Sequence, residues 1–367
     1  MSFILRRRGI YGGSKKIKQA VFSWGLIDLK KTAIRMASSM EGNTEVTLKD
    51  VQDASVRIAP FINRTPVMTC GTLDKMAGKS LYFKCEIFQK VGAFKFRGAM
   101  NAVLNITENC SEAELPVVVT HSSGNHGQAL ALAAKVKGLK AHIVMPNNAP
   151  AIKKAAVKDY GANIVECEIS QQDREAAAAR VLKETGPNSY LVPPYDNKHI
   201  IAGQGTMALE LLEQVPDLDA IVVPVGGGGM LSGICVAAKG IKPSIKIFAA
   251  EPLLADDCAK SFAAGKRIPL PGPPATVADG LKTSLGFITW PIIRDNIDDV
   301  ITVTESEIIS TMRLVWERMK LVIEPSAAVA VAAVLSERFR GENKNVEKVA
   351  VILCGGNVNL DSLPWNK

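Results

Sequence analysis

A lysine stands between two phenylalanines and two glycines in Lys90-Val91-Gly92-Ala93-Phe94-Lys95-Phe96-Arg97-Gly98. Apolar surroundings disfavour the ammonium form and lower the lysine pKa. A neutral amine is what an imine with an aldehyde needs. Further along come His121-Ser122-Ser123-Gly124-Asn125-His126-Gly127 and Gly226-Gly227-Gly228-Gly229. Four glycines between a buried strand and a helix let the backbone approach an anion, with the positive end of the helix dipole facing it. No Gly-Lys-Ser/Thr follows, and Gly-x-Gly-x-x-Gly fails at Leu231, so neither common nucleotide loop applies. Lysine, polar turn and glycine loop in that order suggest pyridoxal phosphate, held by its aldehyde, its ring oxygen and its phosphate.

Each remaining candidate competes with a plainer reading. The backbone N–H groups of Ser122, Ser123, Gly124 and Asn125 suit a substrate carboxylate, Asn125 a ring oxygen, and the Ser123 hydroxyl a travelling proton. Taken alone, that turn is simply a good helix N-cap. Cys354 before Gly355-Gly356 suits a ring nitrogen, or is a small buried hydrophobe. Glu251, Asp256 and Asp257 suit a hard divalent cation, though a solvated acidic loop is slightly ahead from sequence alone. His126 and His142 read as packed or capping histidines, because no second histidine stands at ligand spacing.

The elements that position these residues alternate in type. A helix opens at Thr47 and Asp50 and runs to Ile58, and a strand over 81–86 leads into the lysine segment and a helix over 97–103. Strands at 117–120, 142–145, 163–165 and 190–192 alternate with helices at 128–136, 152–160 and 173–183. The pattern resumes with strands at 220–225, 245–249, 300–303 and 349–353, and helices reaching 239 and over 305–319 and 326–335. Apolar strands alternating with helices predict two open α/β domains with parallel sheets, and ligands at strand carboxyl ends.

At 367 residues with 47% hydrophobic and 22% charged content, the chain is ordinary for a two-domain globular protein. Seven scattered cysteines without a Cys-x-x-Cys pair fit a reducing compartment, hence the cytoplasm. No apolar run approaches the ~20 residues that cross a bilayer. The net charge of +8 resides in residues 1–40, which hold nine Lys or Arg and the single acid Asp28. The rest is neutral, which removes the support for a nucleic-acid partner. The basic head has the composition of an organelle transit peptide. A disordered extension, or a start upstream of Met36 or Met40, fits it equally.

From about Val46 onward the chain resembles the tryptophan-synthase-β-like, fold-type II pyridoxal-phosphate enzymes, specifically their serine-racemase branch. The resemblance rests on Phe88-Gln89-Lys90, Gly92 to Lys95, the His121–Gly127 turn, Ile201-Ala202-Gly203-Gln204-Gly205-Thr206 and Pro224 to Gly229. It continues through Ala250-Glu251-Pro252, Ala278-Asp279-Gly280, Ile323-Glu324-Pro325 and Gly355-Gly356-Asn357-Val358. It implies Lys95 as the Schiff-base lysine and base on one face of L-serine, and Ser123 as acid/base on the other. It implies Phe94, Asn125, Gly226, Gly227, Gly228, Gly229, Met230, Gly280, Glu324 and Cys354 around the cofactor. The turn from Ser122 through Ser123, Gly124 and Asn125 to His126 would hold the substrate. Glu251, the Ala255 carbonyl and Asp257 would bind Mg2+ or Ca2+, with Mn2+ a further candidate. Lys90, Lys320 and Asn357 would line a nucleotide site at a homodimer interface, where ATP activates without being consumed.

The implied activity is racemisation of serine with β-elimination to pyruvate and ammonia, and the alternative is a serine/threonine ammonia-lyase. Threonine and serine dehydratases usually carry alanine where Ser123 stands. Ala93 and Cys354 replace serines common in the branch, and Cys354 matches the animal-type dehydratases. An aspartate racemase would carry a serine-rich loop where Pro193-Pro194-Tyr195-Asp196-Asn197 stands. A non-catalytic amino-acid or nucleotide sensor is the least favoured reading. The implied organisation is a basic extension (1–42), a large cofactor domain (43–112 and 195–367) and a small mobile domain (113–194).

Overall fold

The computed structural model describes residues 45–108, 110–111, 114–149 and 151–366, so the expectations about the basic head lie outside the described residues. Residues 45–367 form one compact unit built on two sheets. The strands are β1 (Val67–Met68), β2 (Ser80–Cys85), β3 (Val117–His121), β4 (Lys140–Pro146), β5 (Asn163–Cys167), β6 (Ser189–Leu191), β7 (Ala220–Pro224), β8 (Lys246–Pro252), β9 (Asp299–Val303) and β10 (Lys348–Leu353). The large sheet has the order β1-β2-β10-β7-β8-β9 and the small sheet β5-β4-β3-β6. All pairs are parallel except β1 with β2. The expected α/β architecture is therefore present, with an antiparallel edge that the sequence reading does not include. Central strands such as β7 are buried on both faces, which is why Ala220-Ile221-Val222-Val223 does not alternate with polar residues.

Local chemistry sets several helix starts. Thr47 and Asp50 close a capping box on the helix Leu48–Ile58, and Thr304 and Glu307 another on Glu305–Met319. One long helix, Lys198–Gln214, is missing from the sequence reading. Gly203 and Gly205 lower its intrinsic propensity, and the reason for them lies in its neighbours. A Cβ on Gly203 would sit 2.8 Å from the Arg97 carbonyl, and one on Gly205 2.6 Å from the Gly233 carbonyl. Bare glycines thus let the helices Lys95–Thr107, Lys198–Gln214 and Gly229–Ile241 cross at backbone contact, behind both the lysine and the glycine loop.

A buried ionic cluster reinforces that crossing. Arg97 donates to Glu86 (Nε, 2.7 Å) and to Glu210 (Nη1, 2.7 Å), and Lys84 donates to Glu210 at 2.9 Å. The Arg97, Lys84 and Glu86 side chains are fully buried. Opposed charges with complete hydrogen bonding are tolerated there, whereas any one left alone would be costly. The cluster ties β2, the lysine helix and Lys198–Gln214 together two residues beyond Lys95.

Candidate active site

Lys95 is the first residue of its helix, held at the strand ends by the chain itself. The Phe94 N–H donates to the Cys354 carbonyl at 3.0 Å, and Ala93 pairs with Gly355. This fastens the lysine turn to the carboxyl end of β10. The Lys95 amine lies 5.0 Å from the Phe94 ring centre and donates to the Pro194 carbonyl at 2.7 Å. Burial lowers its pKa to about 8, opposed in part by the Glu324 charge. A pKa of about 8 makes the neutral amine a minor but accessible form near neutral pH, far more populated than for an ordinary lysine.

Asn125, Glu324 and Asn357 meet beside it. Asn125 Nδ2 donates to Glu324 (Oε1, 3.0 Å), and Asn125 Oδ1 accepts from Asn357 Nδ2 at 2.9 Å. The Asn357 N–H donates to Glu324 Oε2 at 3.2 Å. Burial and then the Asp279 charge push the Glu324 carboxyl up to about 7. Gly280 completes this corner, its N–H donating to Ser326 Oγ at 3.0 Å. Cys354 is buried, and burial followed by the Glu324 charge keeps it a neutral thiol.

The serine turn follows β3. Gly124 N–H donates to Ser122 Oγ at 3.3 Å, and the helix Asn125–Val136 begins without a side-chain cap. Its first N–H groups therefore lack helical acceptors and are available to an anion. Ser123 is half-buried at the bend. The His126 side chain points into the fold. It is buried, its Nε2 lies 3.0 Å from the Val192 carbonyl, and burial followed by the Lys95 charge lowers its pKa to about 3. Its Nδ1 is buried without a hydrogen-bond partner, and its backbone N–H belongs to the first turn of the helix.

The glycine loop leaves β7 with Gly228 in the left-handed region (φ 90°) before the helix Gly229–Ile241, where Met230 is buried. Thr289 Oγ1 donates to the Gly227 carbonyl at 2.8 Å, and Tyr195 covers Gly227 and Gly229, leaving no room for a Cβ on either. Tyr195 and Pro194 are absent from the sequence candidates. They act through contacts distant in the chain, and only their place directly after the last strand of the small sheet hints at a role.

A protein-family model described as "Pyridoxal-phosphate dependent enzyme" matches residues 58–355. The serine racemase of Homo sapiens is 53% identical over 323 residues, covering 88% of this chain and 94% of that protein. A maize serine racemase structure superposes with a TM-score of 0.83 at 48% identity, over 88% of this chain and 96% of that one. A pyridoxal 5'-phosphate-dependent aspartate racemase superposes with a TM-score of 0.84 at 46% identity, over 88% and 98%. This chain belongs to the pyridoxal-phosphate dependent enzyme family. The residues fit the family's cofactor: a lysine with a lowered pKa, an amide at Asn125 and a glycine loop at a helix N-terminus share one corner of the fold.

Around this family core, the other expected ligands fall into two places. Glu251, the penultimate residue of β8, accepts the N–H groups of Cys258 (2.9 Å) and Ala259 (3.0 Å), while Asp257 accepts that of Leu285 (2.9 Å). Burial first raises both carboxyls, with the Asp257 charge adding to Glu251; Asp257 reaches about 6. Among the described residues no three His, Cys, Asp or Glu side chains gather as a metal cluster. Lys320 and Asn357 line a cavity of about 320 Å³ with Phe88 and Gly92. Lys90 is not in its wall: its amine lies 5.7 Å from the Phe96 ring centre. Among the described residues no helix is long and apolar enough to cross a membrane.

Proposed function

We propose that this chain interconverts L- and D-serine and, as a second activity, eliminates water from serine to give pyruvate and ammonia. The observation that carries the reading is Ser123, a hydroxyl on the turn after β3, present together with the buried Lys95 amine in a chain about half identical to serine racemases. Racemisation requires a proton carrier on each face of the α-carbon. Lys95, with a pKa of about 8, takes the α-proton at Nζ on one face; Ser123 Oγ returns one on the other. Pyridoxal phosphate, when bound, supplies the electron sink for charge developing at that carbon. Lys95 would hold its aldehyde carbon, the loop 226–229 its phosphate, Asn125 its ring oxygen and Cys354 its ring nitrogen. Phe94, Met230, Gly280 and Glu324 would shape the walls. The first N–H groups of Asn125–Val136 would orient the substrate carboxylate.

The neutral Cys354 thiol favours a second reading, a serine/threonine ammonia-lyase, because no carboxylate backs the ring nitrogen. Incubating the purified protein with L-serine and following D-serine and pyruvate together separates the two. Pyruvate without D-serine would overturn the racemase.

The paired, raised carboxyls of Glu251 and Asp257, with the Ala255 carbonyl between them in the chain, favour Mg2+, Ca2+ or Mn2+, hard cations that would relieve their repulsion. Lys320 and Asn357 in one cavity support ATP binding as an activator. The exposed Phe88 and Val322 on that cavity support a homodimer. The two sheets support a small domain over 113–194 that moves against the large one. All seven cysteines are free, which supports a reducing, cytoplasmic setting.

A further inference from the structure

Between β6 and the helix Lys198–Gln214 the chain runs Pro193-Pro194-Tyr195-Asp196-Asn197, and three successive residues there grip three parts of the site. The Pro194 carbonyl accepts from Lys95, and Tyr195 lies on the glycine loop. Asp196 reaches across the fold to the start of the helix Thr289–Asn296. Its Oδ2 accepts the Phe287 N–H at 2.8 Å, and its Oδ1 accepts those of Ile288 (2.8 Å) and Thr289 (3.2 Å). That helix has no side-chain cap from its own flank. Gly286 has no room for a Cβ, because the Asp196 carboxylate occupies its place. A carboxylate on three N–H groups at a helix N-terminus is a charge-assisted anchor. The same helix also holds the loop, through Thr289 and the Gly227 carbonyl.

We propose that Asp196 is a positioning residue: its anchor fixes the Pro194 carbonyl against the Lys95 amine and the Tyr195 ring against the glycine loop. The orientation of the amine is then set by a contact remote from the chemistry. This rests on Lys95 being the cofactor lysine. Misplacing a reacting group by about 1 Å costs on the order of a hundredfold in rate, so the anchor has leverage on turnover.

The test compares Asp196→Ala, Asp196→Asn and Gly286→Ala in the full chain. Amide hydrogen exchange at Phe287 to Thr289 reads the anchor. Acetylation of Lys95 in the cofactor-free protein reads the amine, and kcat and KM for L-serine are measured on the holoenzyme. Asp196→Ala and Gly286→Ala should speed exchange, change the Lys95 acetylation rate severalfold and lower kcat about tenfold or more. Asp196→Asn keeps one acceptor oxygen but loses the charge and the second acceptor, and should fall between Asp196→Ala and the unmutated chain. Faster exchange with unchanged Lys95 reactivity and kcat would overturn the proposal, leaving Asp196 a structural cap. Unchanged exchange in Asp196→Ala would overturn it too. If Gly286→Ala does not fold, the Ala and Asn pair at Asp196 decides. Borohydride labelling of the unmutated holoenzyme separates the premise: cofactor fixed elsewhere than Lys95 would sink the cofactor-lysine reading, not the anchor.

Discussion

Asn125 and Glu324 join the two sheets at the site: the Asn125 amide, at the start of the helix after β3, donates to the Glu324 carboxylate at 3.0 Å and 3.2 Å. Glu324 in turn precedes Pro325 at the start of a helix packed on the large sheet. One side of this contact moves if the small domain moves, so the charge state of Glu324 bears on how firmly the halves hold.

That charge state gives a pH prediction. Glu324 has its folded pKa raised to about 7 from an ordinary carboxyl value. The folded protein then binds more protons than the unfolded chain between those values, so this contribution is present at low pH and lost as pH rises through 7. Glu324→Gln removes the loss while keeping an acceptor for Asn125. In the cofactor-free protein the Tm of the variant relative to the unmutated chain should climb between pH 5 and 8, equivalent to roughly 1–3 kcal/mol. A difference that stays flat with pH would rule out ionisation of Glu324 in that window.

Ser123 should separate the two activities. In Ser123→Ala, Lys95 can still take the proton of L-serine, but nothing on the far face returns one. D-serine formation should fall by about 10²–10⁴-fold, far more than pyruvate formation. Parallel losses would reduce Ser123 to a shaping role.

The ionic cluster behind the lysine should be intolerant of partial removal. Glu210→Ala leaves Glu86 as the one carboxylate against Arg97 and Lys84, an excess buried positive charge that costs about 3–5 kcal/mol. Urea unfolding should show a much lower midpoint at unchanged slope. A loss below about 1 kcal/mol would mean that the site admits water or a replacement anion.

Divalent cation should act on stability first. Chelation should lower both Tm and activity, with recovery on adding Mg2+ or Ca2+, because a ligand specific to the folded state stabilises it by mass action. Glu251→Gln should abolish the response to chelator. A full response in that variant would move the cation elsewhere.

The placement of the local motifs was legible in the sequence. Lys95, the serine turn and the four glycines each lie between a strand and a helix that the pattern predicts, and Thr47–Asp50 announces its helix. What was not legible depends on partners far along the chain. The glycines of Lys198–Gln214 make sense only against Arg97 and Gly233. Asp196 becomes a helix cap only once Phe287 to Thr289 is folded beside it. Asn357 was read as a nucleotide ligand, and its bond to Asn125 adds a link to the site that no spacing reveals. Conversely, Lys90 lies close in sequence to Lys95 but packs on Phe96, away from the cavity wall.

On the function proposed, the cofactor is held by the Lys95 amine, whose pKa burial lowers to about 8. Borohydride reduction of the holoenzyme followed by peptide mapping tests it most directly. The cofactor should be fixed on the peptide containing Lys95, and Lys95→Ala should lose both that label and the bound cofactor's absorbance. A label on any other lysine, or a Lys95→Ala protein that still turns over L-serine, would contradict it.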